Sequence, residues 1–248
     1  MHVLLVVKPS RLHDAFLRDV VATGTARGHR VRTVDKRDLL DTRLDHVDVV
    51  CLKNHVDDDK VWRVLEEARV RVVNRRLPCS RRSQVDAMAA RAGVLTPRSA
   101  RDDAEVEGLR YPVMRKSASL FAAAEPMVLD RPPAHPDCAT YFYQELVPHD
   151  DLTAKAYCIG PRAFLVEEQD SLPVHDSGRR RRAAIPDTLA DAALALGAIT
   201  GLEVYGADFV GPGEQRLLVD VNPFPSFRHV APAASALWSH LERTSPAK

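Results

Sequence analysis

Lysine is scarce in this 248-residue chain: seven lysines stand against 28 arginines, and between Val61 and Ala247 only Lys116 and Lys155 remain. Where Arg is the default cation, a retained Lys suggests a compact ammonium that a guanidinium fork cannot replace, with chance as the competing explanation. Long apolar runs are also missing. The N-terminal stretch His2 to Val7 is too short for a signal-peptide core or a membrane span, so a cytoplasmic protein is expected. A net charge of +1 leaves no whole-molecule attraction to nucleic acid or a membrane surface. The four cysteines, Cys51, Cys79, Cys138 and Cys158, show neither a Cys-x-x-Cys nor a Cys/His ligand spacing, so neither a zinc site nor a disulfide framework is indicated. No Gly-x-Gly-x-x-Gly follows the first strand, since Val7-Lys8-Pro9-Ser10 stands there, and a dinucleotide-binding fold is disfavoured. With 45% of its residues apolar, the chain can nevertheless bury a proper core in one or two compact domains.

The most informative stretch runs from Val204 to Phe227. Val-Tyr-Gly-Ala-Asp-Phe-Val, a Gly-Pro-Gly-Glu-Gln-Arg turn and Leu-Leu-Val-Asp-Val-Asn-Pro-Phe-Pro-Ser-Phe together read as a β-hairpin. Side chains on a strand alternate, so Asp220 and Asn222 share a face, and an antiparallel partner can bring Asp208 against them. Oxygen ligands gathered in this way suit Mg²⁺, which takes one or two carboxylates plus phosphate oxygens and water. The alternative is a half-buried hairpin whose acids face solvent. That alternative accounts poorly for Asp208, which sits among Tyr205, Ala207, Phe209 and Val210, where a carboxylate needs a partner. The stretch resembles the C-terminal metal-binding hairpin of the ATP-grasp superfamily, with Gly-x-Asp on one strand and Asp/Glu-x-Asn on the other.

The remainder of the chain is consistent with that resemblance. Residues 1 to about 75 alternate strand and helix, with strands expected at His2–Val7, Arg30–Val34, Val47–Leu52 and Val70–Asn74 and helices at His13–Arg27 and Asp59–Arg69. This is a small parallel α/β unit. Lys8 sits at a strand's carboxyl end, where it could lie near a substrate or simply be an exposed loop lysine. A helix over Arg81–Ala92, a Gly93 stop and a short strand ending in Thr96-Pro97 resemble the family's passage into its nucleotide-binding part. Tyr111-Pro112-Val113-Met114-Arg115-Lys116 resembles the family's Pro-Val-x-x-Lys strand, whose lysine reaches the α and β phosphates of ATP. The following Ser117 to Ala124 contains no glycine, whereas most relatives carry a Gly-rich loop there, and the strand resumes at Pro126 to Leu129; a shortened lid subdomain is expected. Gln144-Glu145-Leu146 at the end of the Thr140–Val147 strand resembles the hinge that reads adenine, with Glu145 and the Leu146 backbone as the candidates. Lys155, five residues before Gly160, matches the position of a second phosphate-contacting cation. Arg162–Gln169 reads as a strand, Pro186–Thr200 as a core helix and Ala231–Arg243 as a final helix.

The resemblance implies an α/β (α+β) ATP-grasp fold with an N-terminal α/β domain over 1–80 and an ATP-grasp domain over 81–248. Within the latter, the lid is expected at about 111–145 and the metal-binding subdomain at about 146–248. It further implies ATP and Mg²⁺, or Mn²⁺ in its place, with Lys116, Gln144, Glu145, Leu146 and Lys155 on the nucleotide and Asp208, Asp220 and Asn222 on the metal. Arg179 to Arg182 form the most basic segment, either a solvated loop or a grip on an anionic substrate. Arg179 and Arg228 are accordingly catalytic candidates beside the two lysines, and His149, Arg180 and Ser226 are substrate candidates. Aromatic residues are not interleaved with these arginines, which disfavours nucleic acid.

Two reactions fit the resemblance. A carboxylate–amine ligase acting through an acyl phosphate is suggested by Asn222 to Arg228, which follows the ligases' Asn-x-x-Pro-Gly-Trp/Phe-Lys/Arg tail except for Ser226 at the glycine. A small-molecule kinase like the inositol polyphosphate kinases is suggested by Gln144-Glu145, His149, Ser171-Leu172-Pro173 and Phe224-Pro225-x-Phe227. A non-catalytic nucleotide-binding protein is the third reading, against which the joint presence of Lys116, Lys155, Asp208, Asp220 and Asn222 stands. The base rate within the superfamily favours the ligase, acting on a small molecule or peptide; an oligomer is compatible with any of these.

Overall fold

A computed structural model describes residues 1–11, 13–53, 58–75, 80–122, 125–148, 152–169, 187–211 and 216–245. The first part is a parallel sheet of β1 (His2–Val7), β2 (Arg30–Asp35), β3 (Val49–Leu52) and β4 (Arg71–Val73), in the order β2-β1-β3-β4. The continuous apolar run of β1 is what a strand covered on both faces requires. One face packs Leu4, Val6, Val50 and Leu52 against Trp62 and Leu65 of α2 (Asp59–Glu67). The other packs Val3, Leu5 and Val7 against Phe16, Leu17 and Val20 of α1 (Ala15–Ala26). Helix α1 starts two residues later than expected because the Asp14 side chain caps it, accepting from the Phe16 N–H at 3.0 Å.

Helix α3 (Arg82–Arg91) ends in the left-handed turn that Gly93 permits at φ 72°. The strand expected after it does not form as such. Residues 98–100 instead run beside β7 (Tyr141–Glu145), with Ser99 bridging Gln144 and the Ala100 N–H donating to the Tyr143 carbonyl at 3.0 Å. A one-turn helix, α4 (Asp103–Val106), follows, capped by Asp102, and is too short to show a period in the sequence. With β5 (Val113–Ser117) and β6 (Met127–Leu129), β7 forms a three-stranded antiparallel sheet in the order β6-β5-β7.

The last sheet is antiparallel, in the order β11-β10-β8-β9, from β8 (Leu152–Ile159), β9 (Arg162–Gln169), β10 (Val204–Val210) and β11 (Leu217–Pro223). One face covers a core of Ala154, Ala156, Tyr205, Ala207 and Phe209 against α3 and α5 (Asp187–Thr200). On the other, Tyr157 and Val166 join Phe224, Phe227 and α6 (Ala233–Thr244) in the core that also holds α1. Trp238 of α6 ties this seam, its indole N–H donating to the Val20 carbonyl at 2.7 Å.

A polar joint sets where β10 begins. Asn74, just past β4, donates to the Val204 carbonyl at 2.6 Å and accepts from the Val204 and Glu203 N–H groups at 2.9 and 3.1 Å. Glu203 in turn pairs with Arg71 at 2.6 Å and His240 at 2.7 Å. No helix among the described residues is long and apolar enough to cross a membrane.

Candidate functional site

The hairpin of β10 and β11 holds Asp208 directly opposite Asp220, and Gly206 opposite Asn222. The two carboxylates share one face, as strand alternation requires. Immediately beyond them the register shifts, since Phe209 pairs with Leu218, and Val219 becomes the extra residue of a bulge. On the far side of β10, Lys155 of β8 stands opposite Asp208. Its ammonium lies 3.1 Å from Asp208 and 3.5 Å from Glu168 of β9.

Burial pushes the Asp208 carboxyl up to about 6 even with the Lys155 ammonium beside it, and the Asp220 charge adds to the shift. Burial also acts to lower the Lys155 ammonium, but the Asp208 and Glu168 carboxylates outweigh it and hold Lys155 above its ordinary value. The side chains of Asp208 and Asp220 keep 26% and 35% of their surface exposed, so a ligand can reach both.

The second half of the site comes from the three-stranded sheet. Lys116 of β5 stands opposite Phe142, which puts it on the same face as Gln144. Its ammonium donates to the Val219 carbonyl at 2.7 Å and to Gln144 Oε1 at 3.2 Å. The carbonyl freed by the bulge is therefore what docks Lys116 beside the two acids. Burial lowers the Lys116 ammonium, with Arg82 adding to that effect and Asp220, Asp86 and Asp208 opposing it. Gln144 is buried, and its amide nitrogen has no partner among the described residues. An orphaned donor beside a lysine and two acids is a group that a bound molecule would satisfy.

Arg82, at the first turn of α3, donates to the Ser117 carbonyl at 3.1 Å and pairs with Asp220. Asp86, one turn on, accepts from Ser99 at 2.9 Å; burial raises its carboxyl to about 6. Around this point Arg82, Asp86, Leu120, Phe142 and Asp220 line a cavity of about 10 Å³, room for one water. Four carboxylates, from Asp86, Glu168, Asp208 and Asp220, thus face three cations, from Arg82, Lys116 and Lys155. The formal excess is one negative charge.

Those donors fit a hard divalent cation. Two opposed carboxylates and an exposed amide at Asn222 supply oxygen, and the excess negative charge favours a cation there. No group of three or more His, Cys, Asp and Glu side chains that could hold a metal occurs among the described residues. The hairpin donors alone are too few to complete a hard cation's shell, and other oxygens would have to fill it.

The structure separates the other sequence candidates. The Glu145 carboxylate lies on the opposite face of the sheet from Lys116 and Gln144, accepting from the Arg110 N–H at 2.9 Å. The Leu146 N–H donates to the Pro112 carbonyl at 3.1 Å. Ser226 and Arg228 line a different cleft, at the carboxyl end of β1. His149, Arg179 and Arg180 lie outside the described residues. The sequence reading did not single out Arg82, Asp86 or Glu168.

The sequence matches no family model and no curated protein. Its fold matches solved structures throughout its length. A RimK domain ATP-grasp protein from Sphaerobacter thermophilus superposes with a TM-score of 0.72 at 15% identity, covering 99% of this chain and 99% of that chain. The ATP-grasp ligase PsnB, solved with a minimal precursor, Mg and ADP, gives 0.65 at 18% identity over 97% of this chain and 98% of its own. D-alanine–D-alanine ligase from Bacillus anthracis, solved with ATP, gives 0.69 at 12% identity over 98% of this chain and 97% of its own.

Proposed function

We propose that this chain, whose fold is the ATP-grasp fold, is an ATP-dependent carboxylate–amine ligase acting on a small molecule or peptide. The observation that carries the reading is the convergence of Lys116 and Lys155, from two different sheets, on the single acid pair Asp208 and Asp220. Ligase activity is supported by what PsnB and the D-alanine ligase are named for, and a peptide substrate by the precursor peptide with which PsnB is complexed; the placement of each side chain rests on the geometry above.

In this reading the triphosphate lies between the three-stranded sheet and the hairpin. Lys116 and Lys155 turn from their protein partners to its oxygens, supplying point charges to a polyanion. Arg82, released from Asp220, adds a fork on the same side. The orphaned amide of Gln144 donates to the nucleotide. Asp208, Asp220 and Asn222 would hold Mg²⁺, which would supply charge neutralisation on the phosphates. The acceptor carboxylate attacks the γ-phosphorus and the bond to ADP breaks, giving an acyl phosphate. An amine then attacks the acyl carbon and loses a proton, and phosphate leaves.

The test is the fate of ATP when purified protein and Mg²⁺ are offered pooled amino acids and dipeptides, with products read by mass spectrometry. ADP, phosphate and a condensed product are expected. ADP with an acceptor heavier by one phosphoryl group would replace the ligase by a kinase. Asp220→Ala should lower kcat by at least roughly 10²-fold while leaving circular dichroism unchanged; a fully active variant would remove Asp220 from the site.

A further inference from the structure

A further cleft, of about 430 Å³, opens at the amino end of β1 and shares no residue with the site at the hairpin. Its volume lies in the range of small-molecule sites. The floor is β1 and β2, whose parallel register sets His2 beside Arg30, Val3 beside Val31 and Leu4 beside Arg32. Parallel partners share a face, so His2, Leu4, Arg30 and Arg32 all stand on the face that farther along packs Val6 against α2. The wall is the segment between β2 and β3. There the Val47 N–H donates to the Leu44 carbonyl at 2.9 Å, turning the chain, and the Asp48 N–H returns it to the sheet by donating to the His2 carbonyl at 2.8 Å. Arg43, Asp45, His46 and Val47 of this segment line the opening.

The charges here are not all matched. Asp45 is the one carboxylate of the lining, and it pairs with Arg43 at 3.7 Å on the exposed rim. Asp48 does not line the cleft, and its carboxylate accepts from the His2 N–H at 2.8 Å. Among the described residues, the Arg32 guanidinium reaches the Arg43 carbonyl, at 3.5 Å, and no carboxylate, and the Arg30 guanidinium has neither an ion-pair nor a hydrogen-bond partner. Two guanidinium groups, on same-face positions about 7 Å apart along one strand, therefore face the cleft without a counter-charge. The imidazoles of His2 and His46 add two more donors.

Strand β2 is the edge of its sheet, and edges are commonly guarded by charged side chains. Guarding alone needs no concavity. Here the charges line one, and Leu4, Val31 and Val47 supply apolar surface beside them. A local charge of +2 from Arg30 and Arg32, in a chain whose net charge is +1, favours an anion, and the apolar walls favour one with an organic body. A carboxylate brings one charge and two oxygens. A phosphate monoester brings nearly two charges near neutral pH and three oxygens, enough to meet both guanidinium forks.

We propose that this cleft binds a phosphate monoester, its dianion held by Arg30 and Arg32 and its organic part laid on Leu4, Val31 and Val47. The amino end of a parallel sheet is the end away from its usual ligand crevice, so this ligand is distinct from the substrates of the reaction. The binding does not rest on the ligase reading.

The experiment is binding read by NMR of the whole chain, through the ring signals of His2 and His46, which report this cleft. The probes are phenyl phosphate, benzoate and inorganic phosphate. Phenyl phosphate should shift both rings and bind about tenfold or more tightly than benzoate, which lacks the second charge and third oxygen. It should also bind more tightly than inorganic phosphate, which has no ring to bury. Arg30→Ala and Arg32→Ala, both at exposed positions of an edge strand, should each abolish the shifts with circular dichroism unchanged, and Arg32→Lys should keep part of the affinity. Equal affinity for phenyl phosphate and benzoate, or for phenyl phosphate and inorganic phosphate, would overturn the proposal. So would ring shifts that are absent, or that survive both alanine variants. Cosedimentation with phosphatidate vesicles and not with phosphatidylcholine, lost in Arg32→Ala, would identify the ester as a lipid headgroup; phenyl phosphate binding without cosedimentation would identify it as a soluble molecule. Either of these upholds the site. Turnover at the hairpin does not enter the readout, so the ligase reading and this one fall separately.

Discussion

At the scale of single residues, the site is an arrangement of charges held in place by one another. Asp86 shows the cost. Burial lifts its carboxyl to about 6 from 3.8, so between those values the folded chain binds a proton that the unfolded chain has released. Stability contributed by Asp86 therefore falls as pH rises through that window, and above about pH 6 the penalty is fully present. Asp86→Asn keeps an acceptor for Ser99 and removes the buried charge. It should stabilise the fold by about 1–3 kcal/mol at pH 8, with the gain vanishing toward pH 4. Urea unfolding at both pH values checks the sign; a gain that is equal at the two would show that the charge is not its origin. The lysines of the site were readable without a structure because scarcity singled out Lys116 and Lys155. Arg82 was not, since it is one arginine among 28 and its partner Asp220 lies 138 positions away. Gln144 and Glu145 form a third case. Alternation says that the two face opposite ways, but only the pairing of Lys116 with Phe142 says which of them faces the lysine.

Among elements, local patterns carried most of the architecture. The hairpin was legible as a unit, because its two apolar runs and Gly/Pro turn place Asp208 against Asp220 by strand geometry alone. Its bulge was not, because a one-residue shift leaves no mark on composition, and yet the bulge frees the carbonyl that receives Lys116. The short helix α4 and the extended stretch beside β7 were illegible for the same reason, being set by neighbours and not by period. Helix packing offers a sharper test. A Cβ built on Gly24 of α1 would stand 2.1 Å from the Trp238 ring, which cannot yield because its indole N–H is bound to Val20 and its face stacks on His29 at 4.6 Å. Alanine gains up to about 1 kcal/mol in helix propensity over glycine. Overpacking costs more, so Gly24→Ala should lose about 1–3 kcal/mol, with a shifted Trp238 emission. An unchanged urea midpoint would mean that α1 and α6 are not pressed together as described.

For the whole molecule, the question is whether the N-terminal sheet is a separate folding unit. We propose a boundary near residue 80 in architecture but not in stability. The sheet's own core with α2 is local, whereas its opposite face is completed by Phe224, Phe227 and α6, all from the far end of the chain. Polar joints cross the same boundary, among them Asn74 with Glu203 and Val204, Lys53 and Asp14 with Pro225 and Ser226, and Arg27 and His29 with Glu242. Opening the N-terminal sheet alone would expose one face of an apolar core and part Lys53 from the Pro225 carbonyl and Glu203 from Arg71. Amides of β1 and β3 should therefore exchange with solvent deuterium through the same global opening as those of β8 and β10. Hydrogen exchange with mass spectrometry in increasing urea reads both sheets in one sample. If β1 and β3 exchange by an opening that leaves β8 and β10 protected, the seam is only a contact. If they open together, the acids of the hairpin and the β1–α1 face that packs against Phe224 and Phe227 belong to one cooperative body, and the hairpin's geometry is held by the whole chain.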